Sequence, residues 1–357
     1  MSGSDTLSEH PTKEGKTMLL VHWKTALVVA LGAVACSQLG LGQVSTATIL
    51  TVDLENQVEY IYDVADPLKF ATDPGITTRL SPKNFFNGVI VSDVVAVNGQ
   101  PVKGTRIFRE HAFLLRPNPA SGQAVADIVA NTVGDDMLQI LKPDGTEIGT
   151  IIGAGLVGGG AGAPPPPPGA PLAGMANNVA ILGGTGAFLG ARGVISFAMS
   201  FAPIRVASVT EDPSNRRNAT AGKGQWVIYL IPMERPEIVT ASGRPAVFHA
   251  DFTPVTATKP AKAGEVLIVQ ATGLGPTVPG VNPGQPFPTD APPQVNSPVA
   301  VTVNGQAAEV VNSIGWPGLV DTYRVDFRAP DGAKGGTAAI QLTAAWIAGA
   351  AVNIPTQ

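Results

Sequence analysis

Carboxylates are the side chains in this sequence whose type and spacing could do chemistry. Residues 57–64 read QVEYIYDV, and this alternation with a period of two predicts a half-buried strand. Glu59 and Asp63 fall on the same face of that strand. If the face lines an internal cavity, one carboxyl could act as a general acid or base. The alternative is a solvated outer face, the usual place of paired strand carboxylates.

Other acids and the histidines give weaker signals. Asp127, Asp135 and Asp136 could line a cavity or its rim, and the alternative is a role in turns or in solvent. The histidines are scattered and have neither the spacing of metal ligands nor a Ser/His/Asp signature. They are His10, His22, His111 and His249. We therefore predict no metal and no cofactor.

The composition favours many short strands. The chain has 357 residues, enough for two ordinary domains, and 44% of them are hydrophobic. Its 41 glycines and 32 prolines favour strands joined by turns over long helices. The net charge of −4 comes without any basic run, which excludes a nucleic-acid partner.

The first 43 residues are typical of an export leader. Lys13, Lys16 and Lys24 precede an uncharged run at 25–35, the pattern of a signal peptide, and a short N-terminal anchor is the alternative. The single cysteine, Cys36, follows Ala-Val-Ala. This spacing resembles a bacterial lipobox, and it also fits an ordinary signal-peptidase site. Both interpretations predict export, to the cell envelope or outside the cell, with membrane contact only through the leader or a lipid.

The remaining sequence divides into two predicted domains. Strand-like runs fill residues 48–236, interrupted by a Gly- and Pro-rich stretch at 153–176 that we interpret as a solvated loop inside one domain. Short strands at regular spacing in 240–357 predict a β-sandwich. These strands read GEVLIVQAT at 264–272, SPVAVTV at 297–303, DTYRVDF at 321–327 and TAAIQLT at 337–343.

Several motifs in the C-terminal domain carry a family resemblance. They are AKAGE at 261–265, ATGLGP at 271–276, VTVNGQ at 301–306 and YRVDFRAP at 323–330. Together they resemble an uncharacterised C-terminal module abundant in Acidobacteria such as Solibacter, which is related to IPT/TIG immunoglobulin-like domains. The resemblance implies an immunoglobulin-like sandwich in a secreted or surface protein.

A glycine-rich stretch carries a second resemblance. Residues 181–193 read ILGGTGAFLGARG and precede a strand at 225–231. The stretch resembles the hairpin of the allene oxide cyclase and dirigent family, which implies an antiparallel β-barrel. Arg192 belongs to this motif, although it could simply pair with a carboxylate at the barrel end. Dirigent proteins guide reactive substrates with a shaped pocket, so membership would not imply an enzyme.

The same stretch also looks like the phosphate-binding turn of a dinucleotide fold, with Glu211 and Asp212 at a plausible distance to hold a ribose. However, Gly193 and Pro203 would damage the required helix, and no train of βα units follows. We therefore predict a turn and a strand here, with no bound dinucleotide.

The sequence thus predicts an all-β protein in which an antiparallel barrel precedes an immunoglobulin-like sandwich. The function we expect is that of an exported bacterial protein, a non-catalytic envelope or extracellular binding or structural protein. Its partner would be a small apolar ligand held in the barrel or a cell-surface component. The alternative is a cyclase or dirigent-like activity on a small hydrophobic substrate. An occluded lumen would favour a structural role, and an open lumen with inward carboxylates would favour the activity.

Overall fold

The structure is a computed structural model, and it describes residues 47–63, 86–113, 131–157, 178–202, 204–208, 210–218, 222–333 and 335–357. It is all-β, as predicted: a closed antiparallel barrel of eight strands is followed by a second, curled sheet of the sandwich type. Residues 45–357 form one compact unit. The described part of the chain contains no helix with the length and apolar character needed to cross a membrane.

The barrel and the short elements attached to it occupy the first part of the described chain. They are β1 (Thr48–Asp63), β2 (Phe86–Val97), β3 (Gln100–Pro101), β4 (Lys103–Phe113), β5 (Asn131–Leu141), β6 (Glu147–Val157), β7 (Asn178–Gly186), β8 (Arg192–Ala202), β9 (Arg205–Ser208), a 3₁₀ helix (Pro213–Arg217) and β10 (Gly222–Ile231). Antiparallel pairing runs through β1, β2, β4, β5, β6, β7, β8 and β10, and β10 returns to β1 to close the wall.

The two ends of the barrel differ in what fills them. We call the end where β1 begins at Thr48 the lower end, and the end where β1 finishes at Asp63 the upper end. Apolar side chains fill the lumen toward the lower end, as expected because eight strands enclose a space about one layer of side chains wide. This lower core includes Leu50, Val52, Leu54, Val94, Val97, Leu138, Ile140, Ile148, Ile151, Ile228 and Leu230.

The second sheet begins where the barrel ends. Its strands are β11 (Glu237–Ile238), β12 (Thr240–Ala241), β13 (Arg244–Pro245), β14 (Val247–His249), β15 (Val266–Thr272), β16 (Thr277–Val278), β17 (Gln294–Val295), β18 (Val299–Val303), β19 (Gln306–Gly315), β20 (Tyr323–Arg328), β21 (Gly336–Ala344), β22 (Ile347–Ala348) and β23 (Val352–Thr356). The main path runs β11-β15-β20-β19-β18-β21-β22. Its inward faces form a core of their own, which includes Leu267, Val269, Val325, Phe327, Ile340 and Leu342.

A hairpin of the second sheet packs against the lower end of the barrel. Between β21 and β22, Ala345 and Trp346 both have positive φ angles, 46° and 64°, as a tight two-residue hairpin turn requires. Ala345 and Ile347 are almost fully buried and belong to the lower core of the barrel. The Trp346 indole also donates a hydrogen bond to the Gln100 side chain, 2.9 Å between Nε1 and Oε1. The sandwich thereby covers the lower end.

Two predictions about glycine-rich segments can be compared with the structure. The predicted solvated loop at 153–176 starts too early, because β6 continues to Val157. Gly153 is buried there, and an added Cβ would lie 2.8 Å from Val179 Cγ1, so the glycine serves close packing. Residues 158–177 lie outside the described residues. The turn and strand predicted within 181–193 are confirmed: β7 ends at Gly186, a turn follows, and β8 begins at Arg192 without any helix.

Candidate functional site

A bulge in β1 decides which of its side chains enter the lumen. Below the bulge, Leu54 and the even-numbered residues before it face inward. The pairing of β1 with β2 shifts between Glu55 and Val58, around Asn56, whose φ is 53°. One extra residue reverses the alternation. Above the bulge, Glu59 therefore faces the lumen.

The register of the sheet confirms this inward direction, because directly paired residues share a face. Glu59 pairs with Ile90 across β1 and β2. Ile90 pairs in turn with Phe108 on β4, which pairs with Asp136 on β5. All four side chains are buried. The polar face of β1 thus lines the barrel interior, and the predicted alternative of a solvated outer face is wrong for Glu59.

Six buried polar side chains share this part of the lumen, and we call them the lumen polar cluster. They are Gln57, Glu59, Ser92, Arg106, Glu110 and Asp136, and none is more than 3% exposed. The Ser92 hydroxyl donates to the Gln57 side chain at 3.4 Å. Glu110 follows Arg106 by four residues along β4, toward the upper end. The cluster therefore begins where the apolar lower core stops.

The best-defined contact of the cluster is an ion pair between Arg106 and Asp136. Arg106 Nε lies 3.0 Å from both carboxylate oxygens, and Nη2 lies 2.8 Å from Oδ2. The guanidinium also stacks over the Trp226 ring, 4.3 Å from its centroid. Because Trp226 is on β10, Arg106 reaches across the lumen. Burial raises the pKa of Asp136, and the positive charge of Arg106 opposes that shift.

Glycines on the neighbouring strands make room for two lumen side chains. A Cβ on Gly88 would lie 2.8 Å from Glu110 Oε1, so Glu110 rests against the bare backbone of β2. A Cβ on Gly134 would overlap the Phe108 ring, which lies against β5 in the same way. The glycines of β2 and β5 thus position an acid and an aromatic ring within the lumen.

The remaining sequence candidates are placed as follows. The backbone of Asp63 ends β1, but its side chain lies outside the described residues, as do Asp127 and Cys36 altogether. Arg192 is at the lower end, far from Glu59 along the strands, and donates to the backbone carbonyls of Leu182 and Ala191. Its predicted partner, a carboxylate, is not the group it binds. Asp135 faces outward and pairs with Arg109.

Arg106, Glu110 and Ser92 were missed by the sequence analysis. The available signal was the alternation in β4, KGTRIFREHAF, in which Arg106, Phe108 and Glu110 occupy one face. With two charged side chains, that face is typical of a solvated strand surface. Only closure of the barrel turns it inward.

A cleft of about 480 Å³ lies on the sandwich, and four of its polar residues contact one another. His249 Nδ1 lies 3.0 Å from Glu265 Oε1, and its Nε2 lies 3.2 Å from the Lys259 carbonyl. The Lys259 ammonium lies 3.0 Å from Asp251. With both ring nitrogens engaged, His249 is held as part of the structure, so the lumen polar cluster is the better candidate site.

No metal centre is found among the residues described: they contain no group of three or more His, Cys, Asp or Glu side chains that could hold an ion. Comparisons with protein-family models, with curated proteins and with solved structures give no match. The resemblances to the allene oxide cyclase and dirigent family and to the Solibacter-type module therefore stay predictions. The candidate site rests on its geometry alone.

Proposed function

We propose that this chain is an exported, non-catalytic binding protein. The barrel takes a small, largely apolar ligand into the upper part of its lumen. A hydrogen-bond donor or a cationic group of that ligand meets Glu59 and Glu110. The observation that carries the proposal is the lumen polar cluster, placed directly above an apolar core.

Burial of this cluster is costly for stability. Charged groups lose their hydration in a barrel interior, and apolar side chains of similar volume often stabilise such a site equally well or better. The lower half of this barrel uses such apolar side chains throughout. A role in ligand recognition gives a reason for retaining Glu59, Glu110 and Asp136 inside the lumen.

The walls beside the carboxyls suit an apolar ligand. Ile90 and Phe108 lie on the same lumen face as Glu59, and Trp226 lies across from β4. Ligand sites commonly combine apolar walls with a few polar groups that fix orientation. A ligand with an apolar body and one donor group matches this combination.

Fluorescent titration tests the proposal with two matched probes, dansylcadaverine, which carries a free amine, and its N-acetyl form. We expect saturable binding of the amine, weakened about tenfold in Glu59→Gln and in Glu110→Gln, the equivalent of about 1.4 kcal/mol. Glu55→Gln is the matched control, because Glu55 is on the same strand but pairs outside with Lys223. Absence of saturable binding by both probes would contradict the proposal.

The exported setting has its own test. The leader at 1–43 and the Ala-Val-Ala site before Cys36 support cleavage near that residue. Intact mass of protein taken from the native cell envelope should show a chain that lacks the segment before Cys36 or a nearby residue, with added mass if Cys36 is lipidated. A full-length chain in the cytoplasm would contradict export.

A cyclase or dirigent-like activity is the second candidate, and the inward-facing carboxyls favour it. A positioned carboxyl such as Glu59 can transfer a proton to or from an apolar substrate. Ligand extracted from protein isolated from its host would be incubated with a sub-stoichiometric amount of fresh protein. Conversion of more ligand than protein, lost in Glu59→Gln, would indicate turnover.

A further inference from the structure

One stretch of the upper barrel wall is closed by a short strand. β1 pairs with β10 only as far as Gln57, opposite Gly222. Above that point its partner is β9, which runs parallel to it from Val58–Arg205 to Ile61–Ser208. Among the described strands β9 pairs with β1 alone. Glu59 is paired with Val206 of β9, so on this side the wall beside Glu59 depends on the four residues of β9.

The chain after β9 folds back over the outside of the barrel. We call β9 and the 3₁₀ helix Pro213–Arg217 the clasp. Arg216 and Arg217 of the helix both bind Asp93 on the outer face of β2, the latter through two hydrogen bonds of 2.8 Å. Asn56, at the β1 bulge, donates to the same carboxylate at 2.8 Å. Asp93 is therefore the latch of the clasp.

Little apolar surface holds the clasp closed. Tyr60, Val58 and Ala207 form a small cluster, with Val91 packed against it, separate from the two main cores. Within the described residues, Tyr60 Oη, Arg205 Nε and Arg216 Nε are buried and have no hydrogen-bond partner. Buried donors without partners lose their hydration and gain nothing in return. The closed clasp is thus held by its four-residue pairing with β1, by this small apolar cluster and by the Asp93 ion pairs. Opening would hydrate three unsatisfied donors.

We infer that the clasp is a side gate, through which an apolar ligand with a donor group reaches Glu59. The inference rests on the proposed function for its ligand. Release of Asp93 frees the 3₁₀ helix, and β9 then separates from β1. A lateral opening forms in the upper wall, while the lower core and the sandwich contact stay in place. Salt favours opening by screening the exposed Arg217–Asp93 pair, whereas the buried Arg216–Asp93 pair is screened much less.

Hydrogen exchange of the full chain tests opening without any ligand. In Asp93→Asn we expect the amides of 205–208 and 214–217 to exchange at least tenfold faster than in the wild type, while those of β4 and β5 are unchanged. Asp135→Asn, which removes an exposed outer pair with Arg109, is the control and should leave the clasp unaffected. Clasp amides that exchange as slowly as those of β4 in both wild type and Asp93→Asn would overturn the gate.

A reversible disulfide tests the link to binding. Tyr60 and Ala207 are direct partners on adjacent strands, close enough for a disulfide. In a chain with Cys36→Ser, Tyr60→Cys and Ala207→Cys, oxidation should lower the association rate of dansylcadaverine at least tenfold, and a reductant should restore it. Equal rates in both states would overturn the gate while binding stands. If neither state binds the probe, the proposed function fails, and hydrogen exchange alone decides whether the clasp opens.

Discussion

Arg106 and Asp136 are two buried charges, and each depends on the other to offset the energetic cost of its burial. Asp136→Ala leaves the guanidinium buried without its carboxylate, so we expect a loss of about 3–5 kcal/mol in the free energy of unfolding. The double variant Arg106→Met, Asp136→Leu should recover most of that loss, because no charge remains buried. Urea unfolding at neutral pH measures both. Equal losses in the single and double variants would contradict a charge-based account.

The lowered pKa of Asp93 predicts how the stability of the protein changes in acid. Burial alone would raise its pKa, but hydrogen bonds from Arg217, Asn56 and Arg216 outweigh that effect and lower the pKa to about 2. The unfolded value is about 3.9, so the stabilisation is present above pH 4 and is lost as the pH falls toward 2. Asp93→Asn should cost about 2 kcal/mol at pH 6 and progressively less below pH 4. If the cost of Asp93→Asn did not change with pH, the negative charge of Asp93 would not be what holds the clasp closed.

At the scale of the element, the sequence predicts the alternation of β1 but not which of its two faces points into the barrel. QVEYIYDV predicts a strand, and β1 is a strand there. The direction depends on the bulge at Asn56, whose left-handed backbone no periodicity records. The outer face, with Val58 and Tyr60, is covered by the clasp, which lies about 150 residues later in the sequence. Long-range contacts of this kind are invisible to a local pattern.

The turn after β7 gives a prediction that also separates the barrel from a dinucleotide fold. Gly186 has a φ of 60°, and an added Cβ would overlap the Ile148 carbonyl oxygen. Gly145 also has a positive φ, 93°, but nothing lies within 4 Å of its added Cβ. Gly145→Ala should therefore cost about 1 kcal/mol, and Gly186→Ala at least about 3 kcal/mol.

Thermal or urea unfolding measures the two costs. Titration of the wild type with NADH and NADPH should show no binding. Equal costs for the two glycines would mean that the packing around Gly186 is looser than the structure shows. Saturable micromolar binding that Gly186→Ala abolishes while the fold survives would contradict the assignment of 181–193 to a barrel hairpin.

At the scale of the whole molecule, the two sheets share a core at the lower end of the barrel. Sequence spacing predicts that residues from about Val239 onward fold alone as a sandwich, and this stays a prediction. The structure adds that Ile347 packs into the barrel, while Ile340 packs into the sandwich. The fragment to test begins at Pro236, because Ile238 on β11 is part of the sandwich core.

We expect Ile347→Ala to cost about 3 kcal/mol in the full chain and much less in the fragment 236–357, where the barrel side of the contact is missing. Ile340→Ala is the matched control, and it should cost a similar amount in both. Urea unfolding followed by fluorescence supplies the numbers. An equal cost of Ile347→Ala in both chains would mean that the hairpin adds nothing to the barrel. Absence of cooperative unfolding would show that the sandwich depends on the barrel.

The direction of β1 also gives the barrel a chemical polarity. Its sixteen residues, Thr48–Asp63, lead the chain from the lower end to the upper end, about 50 Å along the strand. Thr48 therefore lies at the apolar end that the sandwich covers. The carboxyls of the lumen polar cluster lie beyond that apolar layer, so the interior of one molecule changes from hydrocarbon to charge along a single strand.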